Sequence, residues 1–281
     1  MKVFRLKKNL KNQITSLKKA QKSIGFVPTM GALHQGHLAL VKASLKDNEV
    51  TVVSIFVNPT QFDNPDDLNK YPRTFETDLA LLQNLSDDII VFYPDAQDFY
   101  DGQVASQSFD FDGLELEMEG KHRPGHFDGV GTVVKKLFEI VQPNRAYFGE
   151  KDFQQFQIIK KLVEKEQMPV DIIPIPIYRE ADGLAMSSRN KRLTTEHRAA
   201  APYIYQVLKQ AKTLFAYKNI EDVKEFVTNA LTAHPLLKLE YFEIADEKTL
   251  KPAKQKIAGN KYRGFIVVYA GDVRLIDNIQ L

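Results

Sequence analysis

The chain is expected to fold as an α/β protein, with a doubly wound parallel sheet followed by a smaller C-terminal α+β domain. Three observations carry that expectation. Apolar, partly β-branched runs at 24–27 and 50–57 are each followed by a polar loop and then by a stretch of helical periodicity, and a third such run at 89–93 is followed by a less regular stretch. The run from Val50 to Val57 is apolar almost without interruption, as in a strand buried on both faces of a parallel sheet. Beyond about residue 176 the alternation ends, and helices are followed by strands.

Taken in order, Lys7 to Lys22 sets Leu10, Ile14 and Leu17 on one helical face, and lysines at 7, 8, 11, 18, 19 and 22 form its solvated side. Ile24 to Val27 is the first strand, and the helix after its loop runs to about Leu45. Val50 to Val57 is the second strand and leads into a polar loop through Tyr71-Pro72-Arg73. Thr74 then caps a helix through Leu85, with Asp78 in its second turn. Ile89 to Tyr93 is a third buried strand. Pro124 keeps Lys121 to Phe127 from being one helix, and Gly129 to Val141 resumes helical spacing. Arg145 to Phe148 is a strand, and a helix opens at Gly149-Glu150-Lys151-Asp152 and continues through Glu166. Val170 to Ile177 is strand-like, and its two prolines place it near an edge or exit. Helices at Thr195 to Tyr217 and Glu221 to Ala233 precede strands at Leu239 to Ile244, Tyr262 to Ala270 and Val273 to Leu275. The division falls at 1–176 and 177–281.

Composition narrows the chemistry. A net charge of +2 over 281 residues calls for neither nucleic acid nor a membrane surface as partner. The absence of cysteine excludes disulfides, thiol catalysis and thiolate metal sites. The basic first eight residues lead into no apolar core, and no apolar run approaches spanning length, so a cytoplasmic location is expected.

Four polar loops carry the candidate chemistry. His34 and His37, three apart at a helix start, point to the same side. Gly31 and Gly36 beside them let a backbone approach a ligand, and a helix N-terminus favours anions, which suits a polyphosphate. Lys151 and Arg189 can neutralise phosphates, Ser187 and Ser188 supply donors, and Asp152 can hold ribose hydroxyls or a metal. The amides of Asn58, Gln61 and Gln155 suit a polar substrate bearing a carboxylate. There is no G-x-x-x-x-G-K-[ST] loop, G-x-G-x-x-G fingerprint or G-x-S-x-G elbow, so attack at an α-phosphorus is favoured over γ-phosphoryl transfer. The basic segment from Lys121 to His126 is expected to approach substrate, because Arg123 and His126 have no packing role evident in the sequence.

His34-Gln35-Gly36-His37 and Met186-Ser187-Ser188-Arg189 resemble the HxGH and KMSKS-like signatures of the nucleotidylyltransferase and class I aminoacyl-tRNA synthetase superfamily. With Pro28 to His37, Phe56 to Phe62, Tyr71-Pro72-Arg73, Phe148 to Asp152 and Asp182 to Asn190 in that order, the chain is similar to the pantothenate synthetase (pantoate–β-alanine ligase) family. The resemblance implies a Rossmann-like nucleotide- and pantoate-binding domain over 1–176, and a lid over 177–281. It implies ATP-dependent condensation of (R)-pantoate with β-alanine through a pantoyl adenylate, releasing AMP and pyrophosphate, with Mg²⁺ and a homodimer. By that analogy Met30, Gly31, Ala32, Leu33, His34, Gln35, Gly36, His37, Gly149, Glu150, Lys151, Asp152, Tyr178, Met186, Ser187, Ser188 and Arg189 contact ATP. Gln61 and Gln155, with Asn58, hold pantoate, and His37, His34 and Lys151 assist the chemistry, with His37 as the proton donor. Tyr178 is bulkier than the aliphatic residue expected there, so its contact would run through the backbone. Beyond Asp152 as a candidate, no residue is assigned to the metal. A nucleotidylyltransferase acting on a phosphate-bearing substrate would share the histidines but would not need the amides at 58, 61 and 155.

Overall fold

Runs too uniformly apolar for a two-faced helix become strands of one parallel sheet. A computed structural model describes residues 1–62 and 65–281, without the side chains at 65, 67 and 70; of the polar loop expected after the second strand, Asp63 and Asn64 lie outside the described residues. The chain divides into two units, Met1–Glu150 with Gln155–Pro176, and Lys151–Gln154 with Ile177–Leu281. In the first unit β1 (Lys2–Phe4), β2 (Ile24–Thr29), β3 (Val50–Ile55), β4 (Ile90–Phe92), β5 (Arg145–Gly149) and β6 (Asp171–Ile175) pair in the order β1-β4-β3-β2-β5-β6. Every pair is parallel. The helices are α1 (Lys7–Lys19), α2 (Gln35–Asp47), α3 (Pro65–Lys70), α4 (Phe75–Gln83), α5 (Ala96–Tyr100), α6 (Met118–His122), α7 (His126–Val141) and α8 (Phe153–Lys165). Val27, Val53, Ile55 and Val91 of the sheet close a core with Leu38 and Val41 of α2 and Leu82 of α4.

From β2 the chain winds outward through β3 and β4, then returns to place β5 on the other side of β2. The sheet therefore reverses between β2 and β5, and in such sheets ligands bind beyond the carboxyl ends at the reversal. β2 pairs with β3 along all of Ile24–Thr29, but with β5 only at Gly25 and Phe26. The reason is covalent. The carbonyls of Ser23 and Thr29 accept from Val50 and Phe56 on the β3 side, and that of Ile24 accepts from Asn144 on the β5 side. Even-numbered residues thus face β5, and Pro28 has no N–H to offer there. The ladder between β2 and β5 stops short of the edge at which both strands end.

Several expected boundaries shift for local reasons. α1 ends at Lys19 rather than Lys22, because Gln21 takes a left-handed φ of 55°. α7 begins at His126, three residues earlier than expected, with Gly125 at φ 79° as its N-cap. α8 begins at Phe153, after a 3₁₀ turn over Glu150–Asp152. The edge strand β1 had no sequence signal beyond Val3-Phe4; pairing with Ile90–Phe92 creates it.

In the second unit α9 (Thr195–Ala200), α10 (Tyr203–Phe215) and α11 (Ile220–Thr232) precede an antiparallel sheet of β7 (Leu237–Asp246), β8 (Tyr262–Ala270) and β9 (Val273–Gln280). The single helix expected over 195–217 is divided, since Pro202 interrupts the hydrogen-bond ladder. Ile204, Val207 and Leu208 of α10 and Val223, Val227 and Leu231 of α11 pack with Phe242, Ile244, Ile266 and Val268 of the sheet. β9 runs beyond the expected Leu275 and carries Asp277 and Asn278.

Gly25 sets how closely α2 lies on β2, because a Cβ there would overlap Ser44 Oγ and the Asn48 amide. Ser44 is buried and bonded to Thr51, and Asn48 to the Tyr147 hydroxyl, so neither yields freely. Gly25→Ala is expected to lower the unfolding free energy by about 1–3 kcal/mol, the usual cost of overpacking, read as a shift in the urea midpoint.

Candidate active site

Parallel pairing brings the carboxyl ends of β3, β2 and β5 side by side, and with them three of the polar loops. After β2, Gly31 (φ 82°) and Ala32 (φ 50°) turn the chain through left-handed geometry that a non-glycine residue resists. The turn is held from outside. Asp78 of α4 is 1% exposed, and its two carboxylate oxygens accept the N–H groups of Ala32 (3.0 Å) and Leu33 (2.8 Å). Thr74, expected to cap α4, instead donates its hydroxyl to Asp78 Oδ1. Ala32 and Leu33 are themselves buried, Gly31 also, and Met30 is half-buried.

The loop ends on His34, the N-cap of α2. His34 Nδ1 accepts from Gly36 N at 3.1 Å, and His37 Nδ1 accepts from His34 N at 3.3 Å. An acceptor nitrogen carries no proton, so in each neutral ring the proton sits on Nε2. The rings lie 4.1 Å apart between centroids, both half-buried, and Gln35 between them in sequence is exposed. Two imidazole N–H donors therefore stand together at the start of a 13-residue helix, the end that favours anions.

After β3, Asn58 caps a 3₁₀ turn over Pro59–Gln61. Asn58, expected among the substrate contacts, is turned inward: it is 1% exposed. Its Oδ1 accepts from Thr60 N, Thr60 Oγ1 and the Tyr100 hydroxyl, and its Nδ2 donates to Gly129 O and to Gln61 Oε1. Its amide is spent on protein partners, and what it orients is Gln61. Burial pushes the Tyr100 phenol above its usual range, against a hydrogen bond with Thr60, and keeps it a donor to Asn58. Gln61 Nε2 in turn donates to Met30 Sδ at 3.1 Å, joining this turn to the histidine loop.

For the basic segment, the premise that Arg123 and His126 lack a packing role is corrected. His126 is buried, and its Nδ1 lies 2.9 Å from Gln61 O; Arg123 reaches the same carbonyl at 3.4 Å and His126 Nε2 at 3.2 Å. Both residues have a packing role, which is to brace the backbone of Gln61. Beyond β5, Gly149 and Glu150 are half-buried, as is Gln155 in the first turn of α8.

In the second unit, Lys151 is half-buried and Asp152 exposed. The Lys151 carbonyl accepts from Asn278 Nδ2 at 2.9 Å. Tyr178 to Met186 folds back on itself: Met186 N donates to Tyr178 O, Glu180 N to Leu184 O, and Arg179 bridges to Ala185. The Tyr178 ring is exposed, and its backbone is what this turn uses. Ser187 caps a 3₁₀ turn over Ser188–Arg192 by accepting from Arg189 N. Asn190 anchors that turn to Glu180 and to Ala185 O. Arg179 forms a bidentate pair with the buried Asp277 at 2.7 and 2.9 Å and stacks on Tyr205. Burial raises the Asp277 carboxyl, opposed by Arg179 and, more weakly, by the Asn278 N–H and the Lys151 ammonium.

The residues that sequence reasoning missed are the braces: Asp78, His126, Arg123, Arg179, Asp277 and Asn278. Asp78, Arg179, Asp277 and Asn278 stand outside the loops singled out in the sequence, and Arg123 and His126 were read there for substrate approach and not as braces. Among the described residues no three histidine, aspartate or glutamate side chains cluster to hold a metal ion, and no helix is long and apolar enough to cross a membrane.

A parallel sheet with a reversal at β2 and β5, and an HxGH loop held at its edge with both Nε2–H groups as donors, defines a nucleotide-binding α/β protein of the nucleotidylyltransferase type. The family model described as pantoate-beta-alanine ligase matches residues 2–280. Pantothenate synthetase of Flavobacterium psychrophilum is 56% identical over 279 residues, covering 99% of each chain. That of Christiangramia forsetii is 55% identical over 281 residues, 100% of this chain and 99% of the relative. The crystal structure of pantothenate synthetase from Thermus thermophilus superposes with a TM-score of 0.90 at 38% identity, covering 100% and 99% of the two chains. Pantoate-beta-alanine ligase from Francisella tularensis, complexed with beta-gamma ATP and beta-alanine, gives 0.82 at 40% identity, covering 100% and 97%. The chain belongs to the pantoate–β-alanine ligase family, and it is an enzyme of that ligase class.

The Asp78 brace has a measurable consequence. Asp78→Ala orphans two buried N–H groups and is expected to lower the unfolding free energy by about 2–4 kcal/mol. An unchanged denaturation midpoint would show that the histidine loop keeps its shape unaided.

Proposed function

We propose that this chain condenses (R)-pantoate with β-alanine, using ATP, through a pantoyl adenylate, with release of AMP and pyrophosphate. The observation that carries the reading is the pair of imidazoles whose Nδ1 atoms are committed to the backbone, presenting two Nε2–H donors at a helix start beside the sheet reversal. Family membership supports it, as does the ATP and β-alanine complex of the Francisella relative.

In the first step the pantoate carboxylate attacks the α-phosphorus and pyrophosphate leaves. That carboxylate is ionised at neutral pH, so no protein base is required. The work left to the protein is alignment and stabilisation of charge developing on the phosphates. We assign that work to His34, His37, Lys151, Ser187, Ser188 and Arg189. His37 donates its Nε2–H toward the phosphate oxygens. The backbone of Met30 to Gly36, Gly149, Glu150, Asp152, Tyr178 and Met186 completes the ATP contacts. Gln61 and Gln155 hold pantoate, with Asn58 orienting Gln61 from behind. In the second step the neutral amine of β-alanine attacks the carbonyl of the mixed anhydride, the C–O bond to phosphate breaks, AMP leaves with the electron pair, and the amine sheds a proton.

ATP is used as its magnesium complex in this reading. Magnesium favours substrate phosphates and water over an all-protein cage. Its charge would offset part of that on the triphosphate. A homodimer in the cytoplasm completes the proposal, on the strength of the family resemblance.

Lys151→Ala and His37→Ala are each expected to raise the barrier to adenylate formation by about 2–4 kcal/mol, the scale of losing one preorganised donor. Pyrophosphate release from ATP and pantoate measures it, and near wild-type release would refute the assignment. Gln61→Ala is expected to weaken pantoate use, seen as a raised KM for pantoate with ATP dependence little changed; an unaltered pantoate KM counts against its role.

A further inference from the structure

Lys151 and the Met186–Arg189 segment are far apart in sequence, yet one dipeptide of β9 is bonded to the structures that carry both. Asn278 is 2% exposed. Its Nδ2 donates to the Lys151 carbonyl at 2.9 Å, across 127 residues. Its Oδ1 accepts from Arg263 at 2.6 Å, and the Arg263 guanidinium lies over the ring of Phe153, two residues beyond Lys151. The preceding residue, Asp277, holds Arg179 in the bidentate pair. Arg179 follows Tyr178, whose carbonyl accepts the N–H of Met186 at the head of the Met186–Arg189 segment. Arg179 also returns a hydrogen bond to Asn278 O at 3.4 Å.

We propose that Asn278, with Asp277 beside it, is a positioning residue: it fixes the Lys151 backbone in register with the Ser187–Arg189 turn, so that the ammonium and the serine donors act on ATP as one array. The inference deepens the reading above and rests on the assignment of Lys151. A buried amide suits the task because its nitrogen gives a donor to the Lys151 carbonyl while its oxygen accepts from the Arg263 guanidinium. An aspartate of the same shape would keep Arg263, with a stronger partner, and lose the donor to Lys151. The two roles of Asn278, bracing the sheet and holding Lys151, are thus separable by a single isosteric change.

The test compares Asn278→Asp, Lys151→Ala and the double variant in the full chain, with pyrophosphate release from ATP and pantoate as readout and thermal unfolding as control. Asn278→Asp is expected to lower kcat for adenylate formation about tenfold, with the ATP KM changed less than the kcat. In the Lys151→Ala background the same substitution is expected to have little further effect, because a group acting through another loses its influence once the other is gone. Asn278→Asp at the wild-type rate, or an equal loss in both backgrounds, would overturn the inference and leave the role of Lys151 intact. Asn278→Ala guards against a folding artefact, since it removes both partners: a lowered Tm in Asn278→Ala beside a wild-type Tm and lowered kcat in Asn278→Asp is the positioning signature. If Asn278→Asp instead loses rate only in proportion to lost folded protein, the residue is structural and the proposal fails. Wild-type release by Lys151→Ala on its own would overturn the assignment beneath, and the inference with it.

Discussion

A buried carboxylate accepting two backbone N–H groups sits under everything the first unit presents. Asp78 is 1% exposed and reaches the loop after β2 across 46 residues, satisfying Ala32 and Leu33 where left-handed geometry takes their amides out of any ladder. Without acceptors there, two buried donors would be left unmade, which a folded state rarely tolerates. With them, the chain is delivered to His34 at one angle. The Nδ1 atoms of His34 and His37 then accept the N–H groups of Gly36 and His34 at the start of α2. Loop shape, cap and tautomer follow from one another, and the last of these makes both rings donors at Nε2.

The second unit applies the same logic with an amide and an ion pair. The Lys151 carbonyl is held by Asn278, and the turn that precedes Met186–Arg189 is held by Arg179 against Asp277. A bare buried carboxylate would be costly, and Arg179 offsets that cost while the burial of Asp277 strengthens the pair. In each unit the side chains with phosphate-binding chemistry lie on turns, and the turns are fixed by buried polar groups from distant secondary structure. Chemistry on loops with position supplied by the scaffold is a general division of labour.

That division suits a reaction in which the substrate brings its own nucleophile. Pantoate arrives as a carboxylate and ATP as an activated phosphate, so side-chain reactivity matters less than placement of donors and cations. Gln61 shows how far the placement is controlled. Its side chain is bonded to Asn58 and Met30, and its carbonyl is reached by His126 and Arg123. Arg123 and His126 looked idle in the sequence and turn out to brace the backbone of Gln61.

The strand–loop–helix order, the polar loops, and the residue types suited to phosphate and carboxylate could all be read from the chain, because hydrophobic period, proline and glycine act over a few residues. The strand with Pro174 was expected near an edge or exit, and β6 lies at the edge of the sheet. Strand order, the short β2–β5 ladder and the braces were not legible. Asp78 reads as an ordinary aspartate in an amphipathic helix, Asn278 as one polar residue in a strand, and His126 as part of a basic loop. Their meaning lies in partners 46, 127 and 65 residues away, and a hydrogen bond at such separation is set by how strands and helices pack, leaving no pattern in the local sequence.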